Sequence, residues 1–270
     1  MAPHNPGYGK VDREYGMKMF TTSPEQDGPV WMVNFMKYKD EATYVDGSRG
    51  LSGMEADDKY APTEILEDIG AEVPFFGDVV LQLAGADVKW DRIGVVKYPT
   101  RHSFVNMQNR EDFQSKHEHK EAGMEFTFVI GCQPAELDDS FRVKPEAWKN
   151  VEHGPTDDDG AIVVVHLLKF AEGGRQGSMM EYQSKAFSVA QKHGGGAAAI
   201  FNVEGTIMGD GRQWDEVRFI AYPSLRAFMA VVQDPERLEA QSEHRAAAIA
   251  DTYTVVVRPR TDTFTTVGPI

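Results

Sequence analysis

The chain is almost without cysteine: Cys132 is the single one in 270 residues. An intrachain disulfide is therefore excluded, and so is a thiolate metal cluster. Basic residues are also in short supply, 28 against 42 acidic, for a net charge of −14. A surface of that sign repels phosphate backbones and anionic lipid, so neither nucleic acid nor membrane is expected as a partner. No apolar run approaches the roughly 18–20 residues that a membrane-crossing helix needs. The opening MAPHNPGYGKVDREYG lacks the apolar stretch of a secretory leader, and a cytoplasmic protein is expected. Phosphate loops of the GxGxxG and GxxxxGK[ST] kinds are missing, as is the GxSxG of nucleophile elbows. The acidic PTDDDG at 155–160 lacks the spaced ligands of a calcium loop. No cofactor and no metal site is called for.

What is present is a duplication. WDRIGVVKYPTRHSF at 90–104 matches WDEVRFIAYPSLRAF at 214–228, pairing Trp90 with Trp214, Asp91 with Asp215, Tyr98 with Tyr222 and Phe104 with Phe228. One extra residue later pairs His119 with His244, Thr127 with Thr252 and Pro134 with Pro259. Upstream, GPVWMVNFMKYKD at 28–40 matches GAIVVVHLLKFAE at 160–172, which sets Lys37 opposite Lys169 and Asn34 opposite His166. A period this long exceeds the roughly 20–50 residues of a solenoid unit and is the size of a small domain. Apolar residues at 41% and aromatics at 10% are enough to give each half a core.

Within the first half, Val30–Tyr38 reads as a strand apolar on both faces and Ala61–Ile69 as a helix. Strands follow at Phe76–Leu83 and Trp90–Tyr98, then a helical region at Arg101–Glu121 and a strand at Phe126–Gln133. DGSRGLSGMEADD at 46–58 reads as a loop without a counterpart in the second half. That half repeats the order with strands at Ile162–Phe170, Ala199–Met208, Trp214–Tyr222 and Thr252–Arg258. Its helices fall around Met179–His193 and Ser224–Ala250. The order β-α-β-β-α-β is ferredoxin-like. The expected organisation is an N-terminal arm at 1–27, a first repeat at 28–134, a linker at 135–159, a second repeat at 160–259 and a tail at 260–270. The fold class is α+β: two tandem ferredoxin-like repeats packed as an intrachain barrel, with an apolar lumen between them. A homodimer through exposed sheet edges is the expected assembly.

The segments VNFMKY at 33–38, WDRIGVVKYPTRHSF at 90–104 and SEHRAAAIADT at 242–252 resemble a bacterial family of unknown function within the dimeric α/β-barrel superfamily. The resemblance covers roughly 28–134 and 160–259. This sequence departs from the family's pattern at His166, where Asn is usual, and at Lys120, where Arg follows the late helical His. The superfamily includes cofactor-independent isomerases, decarboxylases, polyketide cyclases, monooxygenases, haem-using peroxidases and non-catalytic stress proteins. The resemblance therefore implies the fold and leaves the chemistry to the residues.

Two polar residues stand inside apolar strands, Asn34 and His166. Strand alternation puts Val30, Met32, Asn34 and Met36 on one face, and Ile162, Val164, His166 and Leu168 on the matching one. A buried polar group without a partner costs on the order of 1–3 kcal/mol, so both should be bonded. Imidazole has a reference pKa of about 6.5 and suits a general base. His166 is thus the expected base in the lumen, with Asn34, Tyr98 or Arg218 stabilising a developing oxyanion. His119, His244, Tyr222 and Lys97 are expected to contact the substrate. Lys37 and Lys169 read as structural, and Trp31 and Phe35 as core beneath the helices. The function expected is a cofactor-independent lyase or isomerase acting on a small hydrophobic oxygenated catabolite, phenolic or lactone-like. The alternatives are a cofactorless monooxygenase of electron-rich aromatics and a non-catalytic binding protein.

Overall fold

The computed structural model describes residues 6–175, 178–240 and 248–269, side chains excepted at 178–184 and 240. It has nine strands and nine α-helices among those residues. Two short elements open it, β1 (Lys10–Val11) and α1 (Arg13–Thr21). The first half continues β2 (Val30–Tyr38), α2 (Gly53–Tyr60), α3 (Thr63–Asp68), β3 (Glu72–Ala84), β4 (Arg92–Tyr98), α4 (Arg101–Met107), α5 (Glu111–Gln114), α6 (His117–Gly123) and β5 (Met124–Pro134). The second half runs β6 (Ile162–Phe170), α7 (Ser178–Lys192), β7 (Gly196–Gly209), β8 (Glu216–Tyr222), α8 (Leu225–Gln233), α9 (Pro235–Ala240) and β9 (Ile249–Asp262). Strands pair in the order β1-β7-β5-β2-β4-β3-β9-β6-β8, and β7 also pairs with β8. Each of the eight long strands therefore has at least two hydrogen-bonded neighbours. The α+β class is as expected from the sequence.

The chain divides into two units. Unit 1 comprises Met1–Phe76, Val88–Gln133 and Val203–Gln213; unit 2 comprises Gly77–Asp87, Pro134–Asn202 and Trp214–Ile270. The end of β3 thus belongs to unit 2 and the end of β7 to unit 1, so each unit includes a strand segment from the other half of the sequence.

The matched strands β2 and β6 are built alike. Their β-branched, aromatic and long apolar residues are buried on both faces, and their burial patterns along the strand are identical. The matched Trp-Asp pairs explain themselves structurally. Asp91 accepts the Tyr38 N–H at 2.8 Å and pairs with Lys37 at 3.2 Å. Asp215 likewise accepts the Phe170 N–H at 2.7 Å and pairs with Lys169 at 2.9 Å. The repeated Pro-Thr and Pro-Ser mark helix starts: Thr100 caps α4 by accepting from Ser103 N, and Ser224 caps α8 by accepting from Ala227 N.

Several expectations need correction. The segment 1–27 is more than a polar arm, because α1 buries Tyr15 and Met19 in the core of unit 1. The 46–58 loop carries the start of α2, nucleated by a capping box between Ser52 and Glu55. The helical region at 101–121 is three short helices. In the region 224–250, α8 stops at Gln233 and Pro235 opens α9, since proline lacks the N–H a continuing helix would need. Trp31 and Phe35 do not lie beneath helices. Val30 and Met32 take that place, packed with Met19, Ile65 and Phe113, while Phe35 stacks edge-on with Trp90 and Phe128 on the other face.

Candidate functional site

By the same parity, Ile162, Val164, His166 and Leu168 face the helices of unit 2. Ile162 and Val164 pack with Phe187, Ala190, Phe228 and Val231 from α7 and α8. His166 and Leu168 lie further along that face, where the packing opens into a cavity of about 330 Å³. Its wall is mostly apolar and includes Leu83, Phe187, Ile220, Tyr222, Phe228 and Val231. Among the described residues, the polar ones lining it are His166, Arg218, Thr254, Arg237 and Tyr222. Every described lining residue belongs to unit 2. The expected lumen site is thus corrected: His166 projects under α7–α9, into a cavity on the helix-covered face of its own sheet.

Three of these polar groups form a row across adjacent strands. His166 on β6 is in register with Arg218 on β8 and with Thr254 on β9. Residues directly opposite in an antiparallel ladder have Cβ atoms ~4.5–5.5 Å apart, so the three side chains are neighbours by construction. His166 Nδ1 lies 3.2 Å from Thr254 Oγ1. Arg218 is 6% exposed and donates from Nε to Glu216 Oε1. The other oxygen of Glu216 accepts from Arg175 at 3.1 Å, and Arg175 also reaches Asn202 Oδ1. One buried carboxylate is therefore shared by two guanidinium groups, and it holds Arg218 in place. Arg237 on α9 donates to Val232 O at 3.1 Å.

The corresponding row in unit 1 carries different residues. Asn34 on β2 is in register with Gly94 on β4 and Val129 on β5. Asn34 bonds its own strand, donating from Nδ2 to Met32 O at 3.0 Å, rather than holding a substrate oxygen. A Cβ on Gly94 would meet Phe76 at 3.2 Å and Met36 at 3.4 Å, so side chains occupy the space that Arg218 takes in unit 2. Next along the strand, Arg92 replaces Glu216. Arg92 is 1% exposed and pairs at 2.6 Å with Asp58 on α2, while Asp57 accepts the Tyr38 phenol at 2.6 Å. The 46–58 insertion therefore docks onto the sheet of unit 1 through its acidic end.

Of the other sequence candidates, Tyr98, Lys97 and His119 do not line the cavity. Tyr98 is 4% exposed, packs edge-on against Phe104 at 5.2 Å, and has its phenol pKa raised by burial. It is a core residue and offers no phenol to a pocket. Lys97 lies over the Trp31 ring at 5.6 Å and 3.8 Å from Glu72. His119 Nδ1 is 2.9 Å from the Tyr44 hydroxyl. His244 lies outside the described residues. Tyr222 does line the cavity, against Phe228 at 5.1 Å. Sequence reasoning missed Thr254, Arg237 and Glu216. Thr254 could have been found, because it alternates with the apolar Val256 on the strand expected at Thr252–Arg258. Beside His119, Lys120 places its amine 4.8 Å from the Tyr60 ring and 5.7 Å from that of Tyr8. Burial lowers its pKa, and Asp57 works in the opposite direction. Among the described residues no group of three or more His, Cys, Asp or Glu could hold a metal ion, and no helix is long and apolar enough to cross a membrane.

No protein-family model matches this chain, and no curated protein matches it in sequence. Solved structures do. An anthrone oxidase-like protein superposes with a TM-score of 0.52 at 12% identity, covering 91% of this chain and 98% of its own. A mutant chlorite dismutase from Candidatus Nitrospira defluvii gives 0.46 at 12% identity over 91% of this chain and 95% of its own. A protein of unknown function from Rhodopseudomonas palustris gives 0.42 at 25% identity, covering 48% of this chain and 99% of its own. The first of these places the chain among folds of the dimeric α/β-barrel type and carries no chemistry with it.

Proposed function

We propose that this protein is an enzyme whose two halves are ferredoxin-like repeats and whose working site is the cavity of unit 2. The reaction is acid–base chemistry on a small, largely apolar molecule bearing an ionisable oxygen. One observation carries this reading: Arg218, His166 and Thr254 stand side by side at the wall of an otherwise apolar cavity. With Nδ1–H donating to Thr254, the Nε2 lone pair of His166 is the basic one, and it takes a proton from a hydroxyl or an activated C–H. Arg218, held by Glu216, stabilises the oxyanion that forms. A cation fixed in place before reaction costs no reorganisation when the charge develops, and the apolar wall strengthens its effect. The volume of about 330 Å³ lies at the small end of ligand cavities, as a one- or two-ring substrate requires.

Lyase or isomerase chemistry follows if the anion eliminates or is reprotonated elsewhere. A second reading, direct reaction of the same anion with oxygen, is favoured by the fold shared with the anthrone oxidase-like protein. A screen of phenols and enolisable ketones, followed by absorbance and by an oxygen electrode, separates the two. The expected result is turnover that drops 10²–10⁴-fold in His166→Ala, the usual contribution of one general base. Unchanged turnover in a folded His166→Ala variant would remove the proposal.

A further inference from the structure

The charges around the cavity are unlike those of the chain. Across the whole sequence acidic residues outnumber basic ones by 42 to 28, yet the described residues lining the cavity include two arginines and no carboxylate. The nearest buried carboxylate, Glu216, is already shared by Arg218 and Arg175. Arg237 supplies a second guanidinium to the wall. Among the described residues its guanidinium bonds only the Val232 carbonyl, which leaves its charge without a counterion there. A half-exposed guanidinium at an apolar wall is placed to bind a ligand that supplies the opposite charge.

We propose that the natural substrate enters this cavity as a carboxylate on an apolar one- or two-ring body, read by Arg218 and Arg237. The guanidinium fork matches a carboxylate in shape as well as charge, and such hydrogen bonds are about twice as strong as neutral ones. The paired guanidinium groups also draw an anion into a protein whose overall field repels it. Arg237 acts here as a specificity residue: it selects the anionic member of a set of similar rings and takes no part in the proton transfer. The proposal rests on the cavity being the working site and adds the class of molecule that occupies it.

The test uses the full chain and titration calorimetry with four probes: 2-naphthoate, its neutral amide 2-naphthamide, its methyl ester and 2-naphthol. The carboxylate is expected to bind at least ten-fold more tightly than the amide or ester. Arg237→Gln is expected to remove most of that preference without weakening 2-naphthol. Arg218→Gln tests the second contact, and Arg237→Gln alone carries the test if the Arg218 variant does not fold. Equal or tighter binding of the neutral probes overturns the proposal, as does an unaltered preference in Arg237→Gln or the failure of every probe to bind. His166→Ala separates this idea from the acid–base reading. Retained carboxylate preference with lost turnover supports both. Retained preference with retained turnover removes the catalytic role of His166 and leaves the substrate class standing.

Discussion

Unit 1 and unit 2 present the same sheet face to their helices, and in unit 2 that face borders a cavity lined by His166, Arg218 and Thr254. The difference is concentrated in matched positions. Glu216, Arg218, His166 and Thr254 in unit 2 correspond to Arg92, Gly94, Asn34 and Val129 in unit 1. Where one unit has a buried carboxylate the other has a buried guanidinium at the matching position, and each pairs with groups of opposite charge. Glu216 gathered Arg218 and Arg175 beside a cavity. Arg92 gathered Asp58 from α2 and lies near Asp57, and it sits over the Tyr38 and Phe76 rings. A duplicated fold frees one copy to be closed by packing while the other keeps its polar groups exposed to a void. What the comparison teaches is that a single charge reversal decides which neighbours a strand can accept, because a buried charge must be paired.

The comparison can be broken at its strongest point by moving the arginine. Gly94→Arg would drive a long cation into Phe76 and Met36 without a Glu216 to receive it, at a cost of ~3 kcal/mol or more. Chemical denaturation should show the loss directly; a stability within about 0.5 kcal/mol of the parent would mean that unit 1 can still open. A smaller effect is expected from the matched anchors. Asp91→Ala and Asp215→Ala each remove the acceptor of a strand N–H and a lysine partner, for ~1–3 kcal/mol. The two costs should agree within about 0.5 kcal/mol, and a larger gap would show that the units do not hold their sheets alike.

The matched helix starts give a pH test. Asp27 accepts from the N–H groups of Gly28, Arg101 and His102 and lies 2.6 Å from His102 Nδ1. Burial raises its pKa, but these bonds outweigh burial and bring it down to about 2. A carboxyl whose folded pKa is lowered adds stability above its unfolded value of about 3.8, and that stability is lost as pH falls toward 2. Asp159 holds the start of α8 in the same way, with its pKa also lowered. Melting followed from pH 5 to 2 should therefore fall less steeply in Asp27→Asn than in the parent. The smallest effect belongs to Lys37→Ala and Lys169→Ala, below about 1 kcal/mol each, because both amines are partly solvated.

Strand parity, the duplicated Trp-Asp and Tyr-Pro segments, and the oddity of a histidine inside IVVVHLLKF were all legible in the sequence. They led to the α+β class, to the element order and to His166. The face that His166 occupies was not legible. Parity says which residues share a side and is silent on which side the helices will cover, so the lumen was expected where α7 and α8 pack. Tyr98 and Tyr222 illustrate the same limit. They are identical in motif, and one is enclosed in packed core while the other borders a cavity.

By itself the sequence determined what is periodic and local: alternation along β2 and β6, caps at Thr100 and Ser224, and a net charge that disfavours polyanions. Only the tertiary structure decided which residues meet across strands and which gaps stay unfilled. Register sets Arg218 and Thr254 on either side of His166 from positions 52 and 88 residues distant in the chain. The position of α9 adds Arg237 to the same wall. Local composition fixes each element's preferences at little conformational cost. A cavity, by contrast, is what packing leaves over, and it depends on every side chain around it at once.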